Sequence, residues 1–488
     1  MVLTGCLRSV VITVALCSGC TTAPPQVQTP NLHSPIPDHW LAETAPGVLI
    51  NQWWLTFEDP ALSGFLNEAL RSNHDLQAAA ARITVAEAEA RIAGADLWPQ
   101  VNAGTDATRQ RQNFAGSFGA ALPGGGGNTA FIFNSFGVSL DLSWELDIWG
   151  RIRSGASAAA ADLQAQKFDF AAAALSLAAQ TAKTWYSLTE ARLQVELAEA
   201  TVLSFKKTAT YATDRVNAGI QPPTDKHLSV ANFASAESTL KQREETLRRT
   251  VRQLEVLLGR YPAGALSGAR TLPAIEQAIP SGLPSELLRR RPDLRVTERR
   301  MAAADARVYS AQAALLPRLS LTASTGTASQ DLSNILSGDF LIWTIAGNLV
   351  QPLFQGGRLR ARIDQAEGQL AEAAESYAQQ TLQAFSEVEI ALAVESVLAQ
   401  REAALGTAVQ ASQDAVRVAE NRYAQGVEQI IVVLESQRRA FDTESAWLTV
   451  RRQRIDNRLN LHLALGDGVE ELLESMGFRP LTTKGKME

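Results

Sequence analysis

"RRRPDLRVTERRMAAADARVYSAQAALLPRLSL", Arg289 to Leu321, reads as a helix that runs straight into a strand. Much the same text occurs earlier as "HDLQAAAARITVAEAEARIAGADLWPQVNAG", His74 to Gly104. Asp75-Leu76 falls on Asp293-Leu294 and Pro99 on Pro317, both at a displacement of 218. A fixed internal period means that one structural unit has been used twice. The duplication continues downstream. "WGRIR" at Trp149–Arg153 matches "GGRLR" at Gly356–Arg360, "RVNAGI" at Arg215–Ile220 matches "RYAQGV" at Arg422–Val427, and Leu258-Gly259 matches Leu465-Gly466, all displaced by 207. The change of displacement, about ten residues, fits a loop shortened between the halves. The chain is two long repeats in tandem.

The 488 residues are 46% hydrophobic, enough for a substantial core, and a net charge of −6 argues against a nucleic-acid or anionic-membrane binder. The N-terminus "MVLTGCLRSVVITVALCSGC" has one basic residue, Arg8, then an apolar run from Val10 to Cys17, then small residues. That is the layout of a secretory signal. Cys20 follows Ser18-Gly19, as in signals whose cysteine is acylated and becomes the first mature residue; ordinary cleavage nearby is the alternative. Cys6 and Cys17 would leave with the signal, so Cys20 would be the only cysteine and no internal disulfide could form.

Beyond the signal there is no run of eighteen apolar residues, so strands are the remaining route into a bilayer. "SFGVSLDLSWELDIW" puts Phe136, Val138, Leu140, Leu142, Trp144 and Leu146 on one face, with Ser139, Asp141, Ser143 and Glu145 opposite. Period two with one polar face marks a half-exposed strand. In "FLIWTIAGNLVQPLF", Trp343, Ile345 and Leu349 fall on Phe136, Val138 and Leu142, so the same face is apolar in both copies. Weaker strands precede each, from Gln100 and from Arg318, separated by glycine-rich or polar turns. A four-stranded sheet on a soluble core is the plainer reading. Acidic and hydroxyl residues opposite an aromatic-bearing stripe favour barrel strands, lipid outside and water inside. Four strands cannot close such a barrel, so copies must share one.

Ala156 to Ala218 contains neither glycine nor proline and is built from Ala, Leu, Glu, Gln, Arg and Lys. About sixty helical residues span roughly 90–100 Å. Leu188, Ala191, Val195, Ala198, Val202, Phe205, Ala209, Ala212 and Val216 follow the three-four spacing of a coiled-coil seam; Leu398, Leu405, Ser412 and Ala419 hold that register in the second copy. Return helices are expected from about Thr224 to Gly259 and from about Gln429 to Gly466, with glycine turning each hairpin.

"INQWWLTFEDPALSGFLNEAL", "LPSELLRRRPDLRVTERRMAAADARVYSAQAALLPRLSLTAS", "LFQGGRLRARIDQAE" and "RYAQGVEQIIVVLESQRRAFDTE" occur in that order over nearly the whole mature chain. With these four elements the sequence resembles the TolC-type outer-membrane factors, specifically the acylated branch (NodT-family lipoproteins) that serves resistance-nodulation-division efflux pumps. Two departures are His74, where the other copy has Pro292, and Pro222-Pro223 at the start of a return helix.

The resemblance implies an α+β membrane protein. Its tandem-repeat protomer would have long coiled-coil helices and four strands given to a shared trimeric twelve-stranded β-barrel. It implies a homotrimer in the bacterial outer membrane, lipid-anchored and extending into the periplasm, with a periplasmic adaptor and an inner-membrane efflux pump as partners and no nucleic acid. The chain then divides into a lipoprotein signal (1–19), an acylated extended segment (20–58), belt helices (59–99), a strand pair (100–149), a helical hairpin (150–260), a linker with second belt helices (261–316), a second strand pair (317–356), a second hairpin (357–466) and a C-terminal tail (467–488). Thr21 follows Cys20 in place of the aspartate that favours inner-membrane retention in related lipoproteins.

The function implied is a passive exit duct for drugs or other small toxic compounds. Export of proteins or metal ions by the same fold is an alternative; a lipid-anchored tether is the rival from another class. The expected site residues are Cys20 for the lipid, and Phe136, Val138, Leu142, Trp343, Ile345 and Leu349 against bilayer lipid. Asn217, Gly219, Ile220, Gln425, Gly426 and Val427 are expected at the adaptor-docking turns. A periplasmic gate is expected at Glu428, with Arg422 and Arg215 as counter-charges and Asp214 as a further partner. For Glu428 two readings stay open: a pore-facing acidic ring, or a solvated residue favoured by a helix N-terminus.

No enzyme motif competes. His33, His39, His74, His227 and His462 have no metal-ligand spacing, G-x-S-x-G is absent, and "GGGG" at Gly124–Gly127 lacks the Lys-Ser/Thr of a phosphate loop. No catalytic residue, metal or cofactor is expected other than covalent lipid on Cys20.

Overall fold

The structure is a computed structural model that describes residues 36–42, 52–113, 130–275, 282, 284–469 and 472–473. After a 3-10 turn at Trp53–Phe57 come α1 (Pro60–Ser72), α2 (His74–Ala95), β1 (Gln100–Asn113), β2 (Ala130–Leu146), α3 (Arg151–Asn217) and α4 (Pro223–Leu257). The second half follows with α5 (Pro284–Arg290), α6 (Pro292–Ala313), β3 (Arg318–Ser329), β4 (Leu341–Val350), α7 (Arg358–Ala424) and α8 (Ile430–Leu465). The two halves repeat one design: α2 and α6 each have 22 residues, and α3 and α7 each have 67. Two compact units cut across the repeats. One comprises Val85–Gln164 with Glu298–Glu375; the other comprises the described parts of Asn31–Thr84, Ala165–Thr297 and Ser376–Glu488.

In the first unit the strands form an antiparallel meander, β1-β2-β3-β4, which leaves β1 and β4 as edges. The second strand pair of the sheet comes from the second repeat, so the repeats meet where β2 pairs with β3. That junction admits no side chain at Gly326, where a Cβ would lie 2.1 Å from the Val138 carbonyl oxygen.

In the second unit the seam predicted along α3 is the packed face. Leu188, Ala191, Ala198, Phe205, Ala209 and Ala212 are buried, and Val195, Val202 and Val216 are half-buried. Small residues draw helices together on α7 as well, where Ser412 is buried and shares a hydrogen bond with Thr443 at 3.0 Å. A core cluster ties α5, α6, α7 and α8 through Leu287, Leu294, Val388, Leu461 and Leu465.

The opening motif has its role here. Arg291, 7% exposed, forks onto Asp293 (3.0 and 2.6 Å), reaches Glu387 on α7 at 2.6 Å, and donates to the Ala464 carbonyl at the end of α8 at 3.2 Å. Burial opposes the charge on Asp293. The bonds and charge of Arg291, with a bond from Gln380, outweigh it and hold the Asp293 carboxyl below the usual carboxylate range. The first repeat makes the same tie with other chemistry. Asn73 stands at the equivalent position, accepts from Leu76 N to cap α2, and donates to the carbonyl of Leu257, the counterpart of Ala464, at 3.0 Å.

Next to each tie a helix ends in a left-handed glycine, Gly259 (φ 71°) or Gly466 (φ 70°). A Cβ there would lie 2.4 Å from the Ser72 carbonyl oxygen or 3.1 Å from that of Arg290. Both the backbone conformation and the close approach therefore call for glycine. Just before Gly466, His462 is buried with Trp53 stacked on its ring and Asp467 3.0 Å from Nδ1. Burial pushes this imidazole below the usual histidine range.

Candidate functional site

The register sorts the sheet into two chemically distinct faces. Directly paired residues share a face, and pairing carries Leu142 to Val101 and Ala323, Ala323 to Ile345, Leu319 to Leu349, and Thr325 to Trp343 and Leu140. Phe136, Val138, Leu142, Trp343, Ile345 and Leu349 therefore lie on one face, together with Val101, Leu140, Trp144, Leu146, Leu319 and Leu321. The opposite face carries Asn102, Asp106, Thr108, Ser139, Asp141, Ser143, Glu145, Ser320, Thr322 and Ser324. Hydrogen bonds cross-link it: Ser139 and Ser324 donate to the two oxygens of Asp141 at 2.7 and 2.6 Å.

The apolar stripe has the height of a membrane. Phe136 to Leu146 is ten residue steps along β2, about 33 Å of strand at ~3.3 Å per step, or ~25 Å of height at a tilt of ~40°. At the helix end of the strands Trp98 (72% exposed), Trp149 (51%) and Phe354 (90%) stand out from the chain, as aromatic residues do where a barrel meets the bilayer interface. Beyond the upper end, on the apolar face, Arg109 and Arg111 are exposed. No helix of the described residues is long and apolar enough to cross a membrane, and none of their side chains cluster as a metal site.

The second element is the pair of turns between α3 and α4 and between α7 and α8. In the first, Gly219 (φ 71°) donates to Val216 O at 3.0 Å and Ile220 to Arg215 O at 2.9 Å; in the second, Gly426 (φ 78°) donates to Tyr423 O at 3.0 Å and Val427 to Arg422 O at 3.1 Å. These paired bonds satisfy the last carbonyls of each helix and require a residue that tolerates positive φ. Asn217, Gly219, Ile220, Gln425, Gly426 and Val427 are all exposed, with Ile220 at 62% and Val427 at 59%. Pro222-Pro223 leaves the turn unchanged. Pro222 is the N-cap and Pro223 the first helical residue, where no N–H is needed, and α4 starts 207 residues before Ile430 of α8, in register with the repeat.

Around the turns the charges sort differently from the sequence expectation. Arg422 pairs with Glu428 at 3.1 Å. Arg215 does not: it donates to the Tyr423 carbonyl at 2.9 Å and lies over the rings of Tyr211 (5.4 Å) and Tyr423 (5.5 Å), which meet edge-to-face. Its role as a counter-charge to Glu428 is therefore corrected to that of a clamp that binds the end of α3 to the end of α7. The Asp214 side chain makes no ion pair among the described residues. Glu428 also accepts from the Gln429 N–H at 3.3 Å, beside the start of α8. The tyrosines were not singled out from the sequence, although Tyr211 stands four residues before Arg215 and Tyr423 next to Arg422. Cys20 lies outside the described residues.

Known proteins bear on this arrangement. The family model for outer membrane efflux proteins matches residues 65–260 and 283–467. The chain is 32% identical over 462 residues to the pyoverdine export outer membrane protein OpmQ of Pseudomonas putida, covering 92% of this chain and 94% of that one. It is 32% identical over 471 residues to the outer membrane protein OprJ of Pseudomonas aeruginosa, covering 94% and 95%. Among solved structures, a membrane protein from Pseudomonas aeruginosa superposes with a TM-score of 0.82 at 30% identity, covering 92% of this chain and 98% of that one. The outer-membrane channel OprN superposes with a TM-score of 0.80 at 27% identity, covering 93% and 99%.

The chain belongs to the outer membrane efflux protein family. It is the protomer of a trimeric outer-membrane efflux channel to whose twelve-stranded barrel it gives four strands, and its relatives are efflux channel proteins, not enzymes.

Proposed function

We propose that the trimer is a passive conduit for small organic compounds of varied chemistry, handed to it by an inner-membrane pump of the resistance-nodulation-division class through a periplasmic adaptor. The observation that carries this reading is the two-faced sheet: an apolar stripe of membrane height backed by a hydroxyl and carboxylate face that water can wet. Relatives of similar identity are named for pyoverdine export, toluene efflux and antibiotic efflux. A duct that leaves selection to its pump accommodates such unlike cargo. No catalysis is assigned to the chain.

In this reading Phe136, Val138, Leu142, Trp343, Ile345 and Leu349 face lipid. The exposed turns at Asn217, Gly219, Ile220, Gln425, Gly426 and Val427 receive the adaptor. The clamp beside them keeps the periplasmic end narrow: one cation–π contact, to Tyr423, at about 0.5–1 kcal/mol and one charge-assisted hydrogen bond at about 1.5–3 kcal/mol hold α3 to α7 in each protomer, while Tyr211 steadies Arg215 from its own helix. The Arg422–Glu428 pair neutralises most of the carboxylate ring that three bare glutamates would make. Cys20 carries the lipid that ties the N-terminus to the membrane.

Deletion of the gene should raise susceptibility to at least one class of amphiphilic toxic compound, with resistance restored by an intact copy; an unchanged profile across antibiotics, solvents and dyes contradicts the reading. For the gate, purified Arg215→Ala trimers in planar bilayers should show higher resting conductance than wild type. Glu428→Gln, which frees Arg422, should lower cation selectivity. Identical behaviour of both variants and wild type would leave the tip contacts a purely structural role. A Cys20→Ser chain should take up no labelled fatty acid, and continued labelling would place the lipid elsewhere.

A further inference from the structure

Where strands give way to helices, one cavity of about 360 Å³ is lined by four arginines from four different elements: Arg151 on α3, Arg307 on α6, Arg318 at the start of β3 and Arg362 on α7. Its wall is otherwise small, which is why the space exists. Gly155 on α3 faces Ser310 on α6, and Ala158 packs against Ala303 and Ala306 there, with Ala314 also in the wall. Two of the arginines are engaged. Arg151 forks onto Glu145 at 3.1 and 2.9 Å, and Arg307 pairs with Asp162, itself part of the lining. Arg318 and Arg362 are exposed and have no carboxylate partner among the described residues. The cavity therefore keeps two guanidinium groups uncompensated.

The register says which way the cavity looks. Glu145 pairs with Ser320, and Arg318 shares the face of Ser320. Both belong to the polar face, so Glu145, which holds Arg151, and Arg318 stand on the side that the channel reading assigns to the water-filled interior. A guanidinium offers a rigid planar fork of donors matched to carboxylate and phosphate oxygens, and a cavity of a few hundred Å³ accepts a small organic anion.

We propose that this cavity is an anion-binding subsite on the lumenal wall, one per protomer, which takes up carboxylate- or phosphate-bearing solutes as they pass from the helical part of the channel into the barrel. Arg318 and Arg362 make the direct contacts, while Arg151 and Arg307, held by their acidic partners, set the shape and the field. The proposal rests on the channel reading for the lumenal side of the polar face and for which solutes reach the site; a trimer that exports cargo yet binds no anion fails this proposal alone.

The test is equilibrium dialysis of radiolabelled inorganic phosphate against the full-length trimer in nanodiscs, with trimer integrity checked by gel migration. Wild type should bind saturably, one phosphate per protomer. Arg318→Gln with Arg362→Gln should weaken binding by about tenfold or more, as the loss of one or two charge-assisted hydrogen bonds implies; Arg318→Lys with Arg362→Lys should retain part of it. If the double glutamine variant does not assemble, each single substitution is read in its place. Binding should be equal in phosphatidylcholine and phosphatidylglycerol nanodiscs. Phosphate binding that vanishes only with the anionic lipid assigns the site to a headgroup and overturns the lumenal proposal, as does binding unchanged by the substitutions or absent from wild type.

Discussion

Backbone hydrogen bonding at the two ends of the sheet constrains everything else in this protein. β1 and β4 each present a row of N–H and C=O groups with no strand partner among the described residues, and in hydrocarbon every such group costs several kcal/mol. The sheet belongs to an outer-membrane channel, so those edges must pair with other copies, and closure by three chains of four strands satisfies all of them. Trimerisation is thus a requirement of the strands. The helices inherit it: built as two repeats per chain, they bring six nearly equivalent units to the trimer.

Duplication constrains positions more tightly than it constrains chemistry. Arg291 and Asn73 do one job, tying the start of a helix to the carbonyl at the end of the return helix, with a buried cation network in one repeat and a neutral amide in the other. The glycines beside them do not diverge in this way: a positive φ strains any side chain at both, and the Ser72 carbonyl, 2.4 Å from a Cβ, excludes one at Gly259. Where backbone geometry sets the demand, the repeats agree residue for residue. Where a hydrogen bond sets it, any donor of suitable reach suffices.

That distinction explains what the sequence made legible. The strand faces follow from period two alone, since alternation needs no knowledge of the partner strands; the register then placed the six named residues on one face. The long helices follow from stretches free of glycine and proline, and the hairpin turns from glycine in two aligned hexapeptides. The tip electrostatics were less readable. Arg422 and Glu428 are close in sequence and their pairing was anticipated, whereas Arg215 is engaged 208 residues away by the carbonyl and ring of Tyr423, a partner that charge matching does not nominate. The four arginines of the junction cavity come from four elements spread over more than two hundred residues, so no local pattern announces them.

The proposed parity of the sheet, lipid against one face and water against the other, is read out by paired substitutions at neighbouring positions of β2. A charged residue near the bilayer midplane costs about 2–4 kcal/mol on a barrel's lipid face and little on its lumenal face. The yield of folded trimer in the outer-membrane fraction should therefore fall sharply for Val138→Arg and stay near wild type for Ser139→Arg. Equal yields for the two, or the reverse order, would mean that the apolar stripe does not face lipid.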